Sequence, residues 1–164
     1  MIQRIQTLFL AVALIAIVLM LFCPISSITE FTQIHDEFLE TDYFELSVMG
    51  IEDPSPDSIP QINQLVHIPV LILTSIIFII IVYSISQYKN RRQQMLLLQI
   101  SIFINIIMVA GIFLNFPKVF TSATINVEPG IGAYLPLISL VFLVLANRYI
   151  LKDEKLIKSV DRLR

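Results

Sequence analysis

Residues 95–116 read MLLLQISIFINIIMVAGIFLNF, without one Asp, Glu, Lys, Arg or His. A helix of ~20 residues crosses the hydrocarbon core of a bilayer, so this stretch has the length and apolarity of a membrane span. Working outward, three further runs share that character. IPVLILTSIIFIIIVY (68–83) precedes it, with Pro69 in the first turn, where a missing N–H costs nothing. IGAYLPLISLVFLVLA (131–146) follows and runs on to Leu151. LFLAVALIAIVLMLF (8–22) opens the chain and is closed by Pro24. The β-branched richness of 68–83 also suits a buried strand, but its length argues for helix, and lipid admits only helices or closed barrels. With flanking turns, the expected spans are about 5–23, 66–87, 95–116 and 131–151 of a single domain, 1–164. The expected fold class is an all-α membrane protein: a four-transmembrane-helix bundle with a small extracytoplasmic β-rich cap and a cytoplasmic C-terminal helix.

Composition agrees. Apolar residues make up 56% and charged ones 15%, against about 25% charged in an average soluble domain. No repeat of the 20–50-residue kind is present. The first run lacks a small-x-small cleavage site, ending MLFCPISS, and is expected to remain as a helix.

Basic residues orient the bundle. Of eleven Lys and Arg, Arg4 precedes the first span, Lys89, Arg91 and Arg92 occupy the second connection, and six lie beyond the fourth span. Only Lys118 falls in the other two connections, 24–65 and 117–130. The positive-inside rule therefore puts both ends in the cytoplasm. The first outer connection carries nine acids and no Lys or Arg, and faces out. It is too long for a simple turn. Within it SITEFTQI (27–34) and YFELSVMGI (43–51) read as strands, the latter placing Phe44, Leu46 and Val48 on one face. KVFTSATINV (118–127) alternates as well, with Val119, Thr121, Ala123, Ile125 and Val127 together. Two strands from one connection and one from the other would form a small sheet over the bundle. EDPSPDSIP (52–60) reads as an exposed loop.

No Asp, Glu, Lys, Arg or His lies within the apolar runs 8–22, 68–83, 95–116 and 131–146, which argues against a proton relay or ion-coupled carrier. The polar content is amide and hydroxyl. Ser101, Asn105, Met108, Ile112 and Asn115 share one stripe of the third span; Gly132, Pro136, Ser139 and Ala146 share one of the fourth. Ala13 and Ala16 give the first span a small surface. Such stripes mark helix–helix packing, and Ser101, Asn105, Asn115, Gly132 and Ser139 are assigned to it. The sharper alternative makes Asn105 a substrate ligand.

Candidate chemistry is sparse. Cys23 is alone, which excludes an intramolecular disulfide and a multi-cysteine metal site. His35 and His67 lack a nucleophile or metal-ligand spacing around them and read as surface residues. The acids do not follow the D-x-[DN]-x-[DN]-G calcium pattern, and four scattered glycines make no phosphate loop. No catalytic, cofactor or metal site is expected, and the chain is expected not to be an enzyme.

The chain closes on NRYILKDEKLIKSVDRLR (147–164). On a helical wheel Leu156, Ile157, Val160 and Leu163 share a face flanked by Lys155, Lys158 and Arg162. No Pro or Gly separates this tail from the fourth span, so the helix is expected to continue. Mixed charge around an apolar seam suits docking to a partner. Arg148, Lys152, Asp153, Glu154, Asp161 and Arg162 are the candidate contacts. Short length, mixed sign and the lack of aromatics beyond Tyr149 argue against nucleic acid.

The opening MIQRIQTLFL and the ending LANRYILKDEKLIKSVDRLR resemble the two ends of a family of small bacterial integral membrane proteins known as domain of unknown function 4293. The resemblance extends over the four spans and the long first outer loop. It implies a membrane-embedded fold and carries over no catalytic residue. Together these readings lead to a non-enzymatic inner-membrane accessory or scaffold protein. It would meet the lipid bilayer and a membrane-protein partner or a second copy of itself, through an acidic outer loop and a charged tail. The alternative is a small oligomeric transporter or channel using the polar stripe of the third span.

Overall fold

The computed structural model describes residues 2–34, 37–52, 67–87, 90–115 and 125–161. The four apolar runs fold as helices: α1 (Ile2–Met20), α2 (Ile68–Ser86), α3 (Arg91–Ala110) and α4 (Ile131–Asp161). A π-helical turn, Gly111–Asn115, extends α3. Strands β1 (Ser26–Ile34), β2 (Glu37–Leu46), β3 (Ile51–Glu52) and β4 (Ile125–Pro129) form one antiparallel sheet ordered β3-β2-β1-β4.

Three helical stretches are long and apolar enough to cross a membrane: Ile68–Ser86, Arg91–Leu114 and Ile131–Glu154. The apolar part of α1, Ile5–Met20, is shorter. Its last turn tightens as Leu21 N–H donates to Val18 O and Phe22 N–H to Leu19 O, both at 3.1 Å. Pro24 then offers no N–H to continue the helix. The long connection of α1 to α2 carries β1, β2 and β3, and Asn90 N–H, just before α3, donates to Gln87 O, just after α2.

The buried faces share one rhythm. They comprise Gln6, Leu10, Ala13, Ile17 and Met20 on α1, with Ala16 buried beside Ile17, and Val70, Thr74, Ile77, Ile81 and Ser84 on α2. On α3 they are Gln94, Leu98, Ser101, Asn105, Met108 and Ile112; on α4, Pro136, Ser139, Leu143, Ala146, Ile150 and Asp153. Steps of four and three alternate, averaging 3.5 residues, the period of left-handed knobs-into-holes packing. The opposite faces are apolar too. Ile72, Ile76 and Ile79 on α2 and Phe103, Ile106 and Ile107 on α3 are exposed. Water-soluble monomers rarely display contiguous apolar surface on that scale.

The sheet caps the end where α1 finishes and α4 begins. Phe44, Ile28 and Val127 lie side by side across β2, β1 and β4. Phe44 and Ile28 are buried with Ile25, Leu46 and Val48 in the same core cluster as the helices. Burying such side chains contributes ~1.5–3 kcal/mol each. Two glycines let the start of α4 touch the segment after α1: Gly130 N–H donates to Ile25 O at 2.7 Å and Gly132 N–H to Pro24 O at 2.8 Å.

Three strand expectations need adjustment. β2 begins at Glu37, earlier than expected, because pairing with β1 extends along the whole hairpin. It also ends at Leu46 instead of running through Ile51. Ser47 N–H and Oγ–H both donate to Gly50 O, at 2.8 and 2.9 Å, turning the chain so that Ile51 pairs with Leu46. Val48 therefore reaches the core from a turn. β4 runs on to Pro129, past the expected limit at 127. Glu52, expected to open the exposed loop 52–60, instead pairs with Glu45 in β3; the rest of that loop, Val119, Thr121, Ala123 and His35 lie outside the described residues.

Candidate functional site

Charge separates to the two ends of the bundle. The strands carry Glu30, Glu37, Glu40, Asp42, Glu45, Glu52 and Glu128 and neither Lys nor Arg. At the opposite end stand Arg91 and Arg92 in the first turn of α3, and Arg148 and Lys152 on α4. Arg92, Arg148 and Lys152 are exposed.

That end is also where α4 leaves the apolar bundle. The helix is unbroken over 31 residues, about 46 Å at 1.5 Å per residue, against a hydrocarbon core of about 30 Å. Of the six candidate tail contacts, Arg148 and Lys152 lie one turn apart on an exposed face. Glu154 is half-buried and engaged within the chain. Asp161 ends the helix; its side chain and Arg162 lie outside the described residues.

Asp153 stands apart from the rest. It is 5% exposed, and Gln6 Nε2–H of α1 donates to its Oδ2, across 147 residues of sequence. Its other oxygen, Oδ1, is buried with no hydrogen-bond partner among the described residues. Asp153 thus belongs to the contact between α1 and α4 and is not presented outward. Gln6 escaped the sequence reading. The signal was there: extending the buried spacing of α1 backward from Leu10 reaches Gln6, and extending that of α4 forward from Ser139 reaches Asp153. Nearby, Phe9 packs on Tyr149 with ring centroids 5.3 Å apart.

The residues assigned to helix packing divide. Ser101, Asn105 and Ser139 have no solvent exposure, and Asn105 Nδ2–H donates to Ser139 Oγ at 3.4 Å, joining α3 to α4. Thr74 of α2 donates to its own Val70 O at 2.7 Å and touches Met108 Sδ at 3.5 Å. Gly132 packs on the backbone of Cys23 and Pro24 rather than on a helix. The side chain of Asn115 lies outside the described residues. Ser84 Oγ, Ser101 Oγ and Asn105 Oδ1 are buried without hydrogen-bond partners among the described residues. His67 caps α2 by position without a side-chain cap bond, and no cluster of three or more His, Cys, Asp or Glu occurs among the described residues.

A mainly helical chain has emerged, with three helices of bilayer-crossing length, an acidic sheet at one end and a basic, helix-extended end opposite. From residue 2 to residue 163 it matches the family described as domain of unknown function DUF4293, and the chain belongs to that family. No curated protein matches it.

Proposed function

We propose that this chain is a non-enzymatic accessory subunit or scaffold of a bacterial inner membrane, with all four helices crossing the bilayer and both ends in the cytoplasm. Basic residues concentrated at one end of the bundle and acids at the sheet end support that orientation. The observation that carries the assembly role is the course of α4. Its buried spacing of four and three, Pro136 to Asp153, continues by position through Ile157 and Val160, while α1 begins at Ile2. Gln6 already lies level with Asp153, so α1 has about one turn left to cover this seam. A seam of that period, flanked by mixed charge, suits a partner helix packing side by side with the tail.

The test compares the full chain with one ending at Glu154, which retains the Gln6–Asp153 contact. Both are purified in mild detergent after equal insertion has been shown, and co-purifying proteins are identified. A stoichiometric membrane-protein partner, or a second copy, lost only from the shortened chain supports docking. Identical partner-free samples would reduce the tail to a topology anchor. The alternative, an oligomeric transporter with a path between copies, is less favoured because Ser101 and Asn105 are buried within one chain.

A further inference from the structure

Within the helices, the buried side-chain polar atoms that lack hydrogen-bond partners among the described residues occupy one stretch of the core. Asn105 and Ser139 form their outer limit. Inward along the same face of α3 come Ser101 and, at the helix start, Gln94, both buried and spanning 11 residues from Asn105, about 16 Å. Ser84 lies ten residues inward of Thr74, which touches Met108, so antiparallel α2 sets it level with Leu98. Asp153 lies fourteen residues inward of Ser139, about 21 Å, at the basic end. Five atoms in this stretch, Ser84 Oγ, Ser101 Oγ, Asn105 Oδ1, Asn147 Oδ1 and Asp153 Oδ1, are buried without hydrogen-bond partners among the described residues. Exchanging the amide oxygen and nitrogen of Asn105 would satisfy one atom and orphan the other. Outward of Asn105 the core runs through Met108, Ile112, Ile25 and Ile28, where the Thr74 hydroxyl donates to its own Val70 O and Ser26 Oγ lies buried at the start of β1.

We propose that the inner part of the bundle core is a blind, water-binding seam, entered beside Asp153 and closed at the Asn105–Ser139 pair. The ligand class is water. The open positions are neutral hydroxyl and amide groups except at the mouth, so no ion would reside at the depth of Asn105, whereas a cysteine thiolate placed there would hold a soft cation that arrives with water. A buried water satisfies two to four polar groups, which is what isolated hydroxyl and amide atoms a turn or so apart require. The mainly apolar outer third prevents the seam from crossing the membrane. This inference rests on the bundle spanning a bilayer.

Silver ion, comparable to water in size and thiol-reactive, tests it. Single cysteines are placed in a Cys23→Ser chain held in sealed, oriented vesicles, and unblocked thiols are counted with maleimide after denaturation. Silver added to the face that bears Lys152 should abolish labelling of Ser84→Cys, Ser101→Cys and Asn105→Cys and leave Ile28→Cys untouched. Protection of all three overturns the seam, and a block reaching Ser84 but not Asn105 overturns its depth. Lys152→Cys and Met49→Cys separate the two ideas. Blocked from opposite faces, they uphold the membrane reading whatever the seam does; blocked from the same face, they remove both. On the unsubstituted chain, hydroxyl-radical footprinting should oxidise Leu98 faster than Ile28, although neither is exposed. Equal protection would mean a dry core.

Discussion

Asp153 shows how one residue changes meaning with its surroundings. In the sequence it sits among Lys152, Glu154 and Lys155 and reads as one more charge on a solvated tail. In the fold it accepts a hydrogen bond from Gln6 in a buried contact. Asp153→Ala would leave the Gln6 amide buried and unpaired, at a cost of ~1–3 kcal/mol. Asp153→Asn keeps an oxygen for Gln6 to donate to and should cost less. Unfolding of both variants in a denaturing-detergent titration checks this, and equal midpoints would deny the hydrogen bond a role. Glycine offers a second contrast. A Cβ on Gly132 would meet the carbonyl oxygens of Cys23 and Pro24 at 2.7 Å, whereas one on Gly111 meets nothing within 4 Å. Backbone cannot swing aside as a side chain can. Gly132→Ala should therefore destabilise by ~1–3 kcal/mol through overpacking, and Gly111→Ala should be neutral or mildly stabilising in the same titration.

At the scale of elements, the helices were legible because each apolar run exceeds any strand and ends at Pro or at charge. The sheet was legible only in part. Alternation marked Phe44, Leu46 and Val48 as inward residues, and all three are buried. Alternation says nothing about where a strand stops, however, and the Ser47–Gly50 turn depends on hydrogen bonds that a period-two pattern does not encode. Besides apolar packing, α3 and α4 are joined by the Asn105–Ser139 hydrogen bond. Ser139→Ala removes the acceptor of Asn105 and should cost ~0.6–2 kcal/mol, the range of interhelical hydrogen bonds in membranes. A larger loss would mean that Ser139 serves more than Asn105. Phe44→Ala removes a fully buried ring from beneath the sheet and should cost ~3–5 kcal/mol. Faster proteolysis confined to the sheet, with the helices intact, would locate the loss there.

For the whole molecule, the weakest link is α1, whose apolar part is the shortest of the four. If it crosses with the others, the number of crossings is even and both chain ends share one side. Reporters that fluoresce only in the cytoplasm, fused separately at each end, should both be bright. One bright and one dark reporter would mean three crossings, with α1 lying on the surface. The sequence alone determined the four helices, the segregation of basic and acidic residues and the family. These follow from local properties: apolar length, charge placement and end motifs. Only the tertiary structure decided that Gln6 reaches Asp153, that Gly132 meets the Cys23–Pro24 backbone, and that Ser101 and Asn105 are buried inside one bundle. Those facts require two distant segments to be brought together. A charge in a tail and a charge in a seam carry the same letter until a second helix removes one of them from water.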